Sequence, residues 1–132
     1  ELATAVIYKL PVKVFIINNR YLGMVRQWQQ LFYEGRYSAS VLGQKPDFVK
    51  LAEAYGAAGL RAKEPNEVEG IIKEALKIKG PVVVDFVVNP TENVYPMVPS
   101  GGAINEMIFD DPVEAKEANS KKGKTEDSIQ TA

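Results

Sequence analysis

The chain has 132 residues, with 16 Lys and Arg against 17 Asp and Glu and a formal net charge of -1. That size suits one domain with a modest core, and the charge balance offers no basic field to draw the chain to nucleic acid. It has no cysteine and no histidine, which excludes disulfides, thiolate metal sites, the usual zinc ligand and every Ser-His triad.

Glu1 to Tyr8 reads as the end of a helix already under way. No N-cap residue precedes it and no signal-peptide pattern is present, so the expectation is a piece of a longer polypeptide. Leu10-Pro11 breaks that helix and launches a strand over 12–17. There Val12, Val14, Phe15, Ile16 and Ile17 form the nearly unbroken apolar run of a buried parallel strand. Two amides, Asn18 and Asn19, end it. The spacing then predicts a helix from residue 22 to 32 or 33, with Leu22, Val25, Trp28, Gln29 and Phe32 on one side. Gly35 suits its end, and 36–45 is expected to be loop.

Pro46-Asp47 opens a second helix, with Phe48, Leu51, Ala52 and Tyr55 on one face and Gly56 as its stop. A short strand is expected over Ala58–Ala62. Pro65-Asn66-Glu67 opens a third helix, whose apolar side is Val68, Ile71, Ile72, Ala75, Leu76 and Ile78. Gly80-Pro81 launches the most apolar strand, 82–88. Segment 89–111 holds Pro90, Pro96, Pro99 and Gly101-Gly102, so it is expected as an ordered loop or a short helix around 104–108. The alternation of strands and helices predicts an α/β fold, a doubly wound parallel sheet with helices on both faces, over residues 1–111. Residues 112–132 are polar and without an apolar face, and are expected to form a disordered tail. No run of about 18 apolar residues offers a membrane-spanning helix.

Several groups could carry chemistry. Asn18 and Asn19 close a buried parallel strand, where α/β proteins place ligands. Amide oxygens are hard, neutral donors that suit Mg²⁺, while an Asn pair also serves as an ordinary strand-to-helix turn. Gly23 either initiates the helix or lets a phosphate approach the backbone. Trp28, the only tryptophan, has the spacing of a core anchor. Tyr33, Arg36 and Tyr37 could stack on a base or bind an anion, but with no basic stripe a loop-anchoring or subunit-contact role fits better. Lys121, Lys122 and Lys124 are diluted by Glu126 and Asp127 and read as a solvated tail. Segment 94–108 reads as a surface loop.

The run VKVFIINNRYLGMVRQWQQLFYEGRYS over 12–38 resembles the second half of the thiamin-diphosphate fold motif, a GDG segment followed some two dozen residues later by NN. The wording LGMVRQWQ, LFYEGRYS and PDFVKLAEAYG is similar to that of the large catalytic subunit of acetohydroxyacid synthase (acetolactate synthase), over roughly 1–110. The resemblance implies an N-terminally truncated thiamin-diphosphate-binding fold. It implies that the Asn19 side-chain oxygen and the Tyr21 backbone carbonyl are Mg²⁺ ligands, and that the third protein ligand, the Asp of GDG, is not in this chain. It places Gly23 at the diphosphate and Leu22 and Met24 at the cofactor. It places Trp28, Val25 and Met24 in a substrate channel, with Trp28 helping to select the second 2-ketoacid and contacting herbicides.

Glu1 resembles a Glu just after the family's GDGSF segment. The glutamate that activates the cofactor belongs to a partner subunit, so no catalytic residue is expected here. In the family, a PM-x-x-x-G segment, matched by Pro96, Met97, Gly101 and Gly102, folds over the active site. The implied reaction decarboxylates pyruvate with thiamin diphosphate and Mg²⁺. It then condenses the two-carbon unit with pyruvate or 2-ketobutyrate, in branched-chain amino-acid biosynthesis. FAD would bind mainly outside this chain.

The implied partners are a catalytic homodimer or tetramer and a regulatory small subunit, with no nucleic acid and no membrane. The implied location is cytoplasmic in bacteria and archaea and plastidic in plants. The 132-residue chain by itself is expected to be inactive. Two alternatives stay open. One is another thiamin enzyme of the pyruvate oxidase, glyoxylate carboligase or sulfoacetaldehyde acetyltransferase type. The other is a non-catalytic interaction module.

Overall fold

The computed structural model describes residues 1–43 and 46–111. The predicted tail, with its lysine cluster, lies outside the described residues. The chain divides into two compact units, Glu1–Glu92 and the segment from Asn93 onward. In the first, the elements run α1 (Leu2–Ile7), β1 (Lys13–Asn18), α2 (Gly23–Phe32), α3 (Phe48–Ala54), β2 (Ala58–Ala62), α4 (Val68–Lys77) and β3 (Val82–Val87).

The three strands form one parallel sheet in the order β1-β3-β2. Lys13 stands opposite Val82 and Ala58 opposite Val82 from the other side, so all three strands start level. β3 takes the centre because its side chains can be buried on both faces. Val82, Val84 and Phe86 pack with Ala62 and Ala75, joined by Val68, Ile71 and Ile72 of α4. Val83 points the other way, onto Ala52 and Ala57, with Leu2 and Val6 of α1 and Phe48 of α3 beside it. Helices therefore cover both faces, as the alternation predicts.

Local chemistry sets the helix boundaries. The Asp47 carboxylate caps α3, accepting from the Val49 N–H at 3.2 Å and the Lys50 N–H at 3.4 Å. Gly56, at φ +81°, turns the chain out of the helix. Beyond it β2 runs close under α3: a Cβ built on Gly59 would lie 2.7 Å from the Val49 carbonyl oxygen. α4 starts later than Pro65 because 65–67 form a single 3₁₀ turn. The Glu67 carboxylate folds back there to accept from the N–H groups of Lys63 and Glu64, at 2.7 and 3.0 Å.

Two expectations are corrected. The apolar run of β1 does not make it a buried strand: Val12, Val14, Phe15 and Ile17 are all exposed. Among the described residues β1 pairs only with β3, and the apolar side chains of α4 pack on β2 and β3. The second correction concerns the core-anchor reading of Trp28 on α2. Trp28 is exposed with Leu22, Val25 and Phe32, and the buried residues of the helix are Arg26 and Gln27. The Arg26 guanidinium lies over the rings of Tyr21 and Tyr37, at 5.5 and 5.6 Å, and donates to the Thr91 carbonyl at 3.1 Å. These partners hold the polar edge of α2 inward and leave its apolar stripe outward.

In the second unit, Met97 and Ile108 form an antiparallel bridge, each N–H donating to the other's carbonyl. The helix expected around 104–108 is one 3₁₀ turn, Ile104–Glu106, because Met107 is already extended at ψ 133°. No described helix is long and apolar enough to cross a membrane.

Candidate functional site

The carboxyl end of β1 leads into two successive side-chain-to-backbone turns. The Asn18 Oδ1 accepts from the Arg20 N–H at 3.1 Å, and the Asn19 Oδ1 accepts from the Tyr21 N–H at 3.1 Å. Between them Arg20 takes φ +62°, a left-handed conformation uncommon for a residue with a side chain. The returning loop then pins the turn: Leu22 donates to the Ser40 carbonyl and Leu42 to the Arg20 carbonyl, each at 2.9 Å. Those bonds bracket Tyr21 and Val41 and leave the Tyr21 carbonyl unused by the bridge.

Gly23, the first residue of α2, lies against the same turn. A Cβ there would stand 2.9 Å from the Asn19 Nδ2, so a side chain at this position would make the Asn19 amide shift from the place it now holds. Leu22 is the N-cap of α2 and offers no side-chain cap bond. The first N–H groups of this ten-residue helix are thus available to an anion. The donors fit part of a hard-cation site. The Asn19 Oδ1 keeps a lone pair beyond its one hydrogen bond, and the Tyr21 carbonyl is a second neutral oxygen. Among the described residues no cluster of three His, Cys, Asp or Glu could hold a metal by itself. A cation here would need phosphate oxygens and a further ligand.

Met24, Val25 and Trp28 come together, with Gln29 and Tyr33, around an open apolar hollow of about 420 Å³. The Trp28 indole meets the Phe32 ring edge-on, with centroids 5.8 Å apart. Trp28 is 41% exposed, so it does not anchor this chain's core. Leu22 is exposed and does not line that hollow. Arg36 makes an exposed pair with Glu34 at 3.3 Å and donates to the Tyr33 carbonyl at 3.2 Å. That fits loop anchoring, while Tyr37 serves Arg26 instead. Glu1 accepts the first backbone bond of α1, from Ala5. Of the residues in the second unit, Gly101 adopts φ +79°.

One group is absent from the sequence reading. Asn18 Nδ2 donates to the Asp85 Oδ1 at 2.9 Å, Arg61 Nε to the Asp85 Oδ2 at 2.9 Å, and Arg61 also pairs with Asp47 at 2.6 Å. The four residues line a polar hollow of about 160 Å³ with Arg20 and Lys63. The Arg61 hydrogen bond holds the Asp47 carboxyl below its ordinary range against some desolvation, with the Lys50 and Val49 N–H groups assisting. Asp47 and then Asp85 raise Arg61 in turn. The signal available in the sequence was the one charged residue inside each of two apolar strands, AGLRA and VVVDFV.

The family model for the C-terminal TPP-binding domain of thiamine pyrophosphate enzymes matches residues 1–86. The chain is 49% identical over 115 residues to the acetolactate synthase large subunit of Haemophilus influenzae, covering 86% of this chain and 20% of that protein. It is 50% identical over 110 residues to the acetolactate synthase isozyme 3 large subunit of Escherichia coli, covering 81% and 19%. It is 46% identical over 127 residues to acetolactate synthase of Mycobacterium avium, covering 86% and 20%. The chain thus spans about a fifth of the length of these relatives. Among solved structures, the Rhodococcus jostii RHA1 thiamine diphosphate-dependent 4-hydroxybenzoylformate decarboxylase superposes with a TM-score of 0.60 at 30% identity. That match covers 67% of this chain and 16% of the other.

Proposed function

The chain belongs to the thiamine pyrophosphate enzymes, as their C-terminal TPP-binding domain, and from that premise we propose that it is the cofactor-holding segment of an acetolactate synthase large subunit. The observation that carries this reading is identity of 46–50% over 81–86% of the chain to proteins of that name. The Rhodococcus decarboxylase, at 30%, is more distant in sequence, which favours the synthase over a plain decarboxylase. The 132-residue chain acts within a larger protein and is inactive by itself.

Bound thiamin diphosphate supplies the electron sink for decarboxylating a 2-ketoacid. This chain's residues hold and orient it. The Asn19 Oδ1 and the Tyr21 carbonyl would hold Mg²⁺ as two neutral oxygen donors, and the ion would neutralise diphosphate charge. Gly23, with Leu22 and Met24 beside it, brings the N–H groups at the start of α2 to the diphosphate. Met24, Val25 and Trp28 form an apolar wall of the substrate channel, where water is excluded and a second ketoacid, pyruvate or 2-ketobutyrate, is selected. The outward apolar stripe of α2 is covered in a catalytic dimer or tetramer. FAD, a regulatory small subunit and a cytoplasmic location belong to the same reading of the whole enzyme.

A chimera tests it. The stretch of the E. coli isozyme 3 large subunit that this chain matches is replaced by this chain's residues. The expected result is acetolactate from pyruvate, dependent on thiamin diphosphate and Mg²⁺. A chimera that folds and binds the cofactor, yet releases acetaldehyde in place of acetolactate, would contradict the proposal.

A further inference from the structure

We propose that Asp85 is a positioning residue for the cation-binding turn: it fixes the Asn18 amide, and through it the Asn18–Tyr21 turn, while Arg61 and Asp47 hold Asp85 itself in place. The proposal rests on the reading that Asn19 and Tyr21 hold Mg²⁺.

β3 reads VVVDFV, and Asp85 is its single charge. The residue is 2% exposed, at the centre of the sheet, where an unpaired carboxylate is strongly disfavoured. Both its oxygens are engaged. Oδ2 accepts from Arg61 Nε and Oδ1 from Asn18 Nδ2, each at 2.9 Å. Arg61 stands directly opposite Asp85 in the register of β2 and β3, and its other arm is held at 2.6 Å by the Asp47 cap of α3. The chain of contacts thus joins the start of α3, β2, β3 and the end of β1.

Its effect falls on the direction of one amide. An Asn side chain can present oxygen or nitrogen to a neighbour. Asp85 is an acceptor only, so Asn18 must give it the nitrogen. The Asn18 oxygen is thereby left for the Arg20 N–H, at 3.1 Å. That bond closes the turn in which Arg20 sits at φ +62°, and Arg20 is the residue between Asn19 and Tyr21. Without an acceptor at position 85 the Asn18 amide has no fixed sense, and the turn has lost the contact that selects its shape. A plain structural ion pair would stabilise the sheet without touching the cation.

The test uses the chimera described above. Calorimetry measures thiamin diphosphate binding across a range of Mg²⁺ concentrations, and thermal unfolding is followed in parallel. Asp85→Val should raise the Mg²⁺ needed for half-maximal binding by roughly 10- to 100-fold, the usual effect of removing a residue that orients a metal ligand. Saturating Mg²⁺ should recover binding. Asp85→Asn offers one oxygen to two donors, and the Arg61 guanidinium claims it, so an NH2 group faces Asn18 and the Mg²⁺ requirement should rise as it does in the Val variant. It should also lower the unfolding midpoint, since Arg61 loses a charged partner.

If Asp85→Val does not fold, Asn18→Ala takes its place. It cuts the link, keeps the Asp85–Arg61 pair, and should raise the Mg²⁺ requirement likewise. An unmoved Mg²⁺ requirement in the Val variant, or in Asn18→Ala, overturns the positioning role alone. An unsubstituted chimera that binds the cofactor without Mg²⁺ sinks the cation reading and this inference with it.

Discussion

At the scale of single residues, the site is a matter of which oxygen points where. Asn19 uses one lone pair on the Tyr21 N–H, and Gly23 lets the amide stay where a Cβ would push it aside. The NN pair and the glycine were legible in the sequence because such turns are built from neighbours. Trp28 was not: its spacing on an amphipathic helix fits a core anchor as well as a channel wall. Its exposure of 41% decides against the core. In the chimera, Trp28→Leu should therefore change the unfolding free energy by less than the roughly 3–5 kcal/mol that a buried tryptophan costs when truncated. It should erode the preference for 2-ketobutyrate over pyruvate, since one methylene in a pocket is worth roughly 1–3 kcal/mol. Measuring product ratio and unfolding together checks both parts. A large stability loss with an unchanged ratio would reinstate the core role.

At the scale of elements, local signals and long-range contacts part company. The bounds of β2 and the cap of α3 follow from residues within a few positions, and both stand where the sequence puts them. The inward face of α2 could not be read, because amphipathicity says which side is apolar but not what will cover it. The Asn18–Asp85–Arg61–Asp47 chain was equally hidden, as it joins residues up to 67 positions apart. Two predictions belong here.

Gly59→Ala puts a methyl 2.7 Å from the Val49 carbonyl oxygen and 2.9 Å from its Cα. Neither atom can swing away, so urea unfolding should show a loss of about 1–3 kcal/mol. An unchanged midpoint would mean that α3 lifts freely off β2.

The second concerns acid. The folded-state pKa of Asp47 lies below its ordinary 3.8, so between the two values the unfolded chain binds more protons. The contribution of the Asp47–Arg61 pair is present above the ordinary value and fades as pH falls through the lowered one. Asp47→Asn should therefore flatten the acid side of the stability profile below about pH 4. A profile still as steep would assign the acid sensitivity elsewhere.

At the scale of the molecule, the first unit has a sheet whose central strand is well covered and whose β1 side is not. β1 pairs on one side among the described residues; Phe15 and Ile17 of β1 are exposed, and so are Met24, Val25, Trp28 and Phe32 on the outward stripe of α2. Uncovered apolar side chains of this kind are what the proposed catalytic assembly would cover. That fits a chain spanning about a fifth of the relatives it matches. The fold class was readable from the order of elements. The sheet order was not, because parallel pairing is decided by which strand can be buried on both faces. The claim joining the three scales is that the turn after β1 holds thiamin diphosphate through Mg²⁺. The most direct test is cofactor binding to the Asn19→Ala chimera across a Mg²⁺ titration. The account predicts strongly weakened binding at low Mg²⁺ and partial recovery at high Mg²⁺. A binding curve with the same Mg²⁺ dependence as the unsubstituted chimera would contradict it.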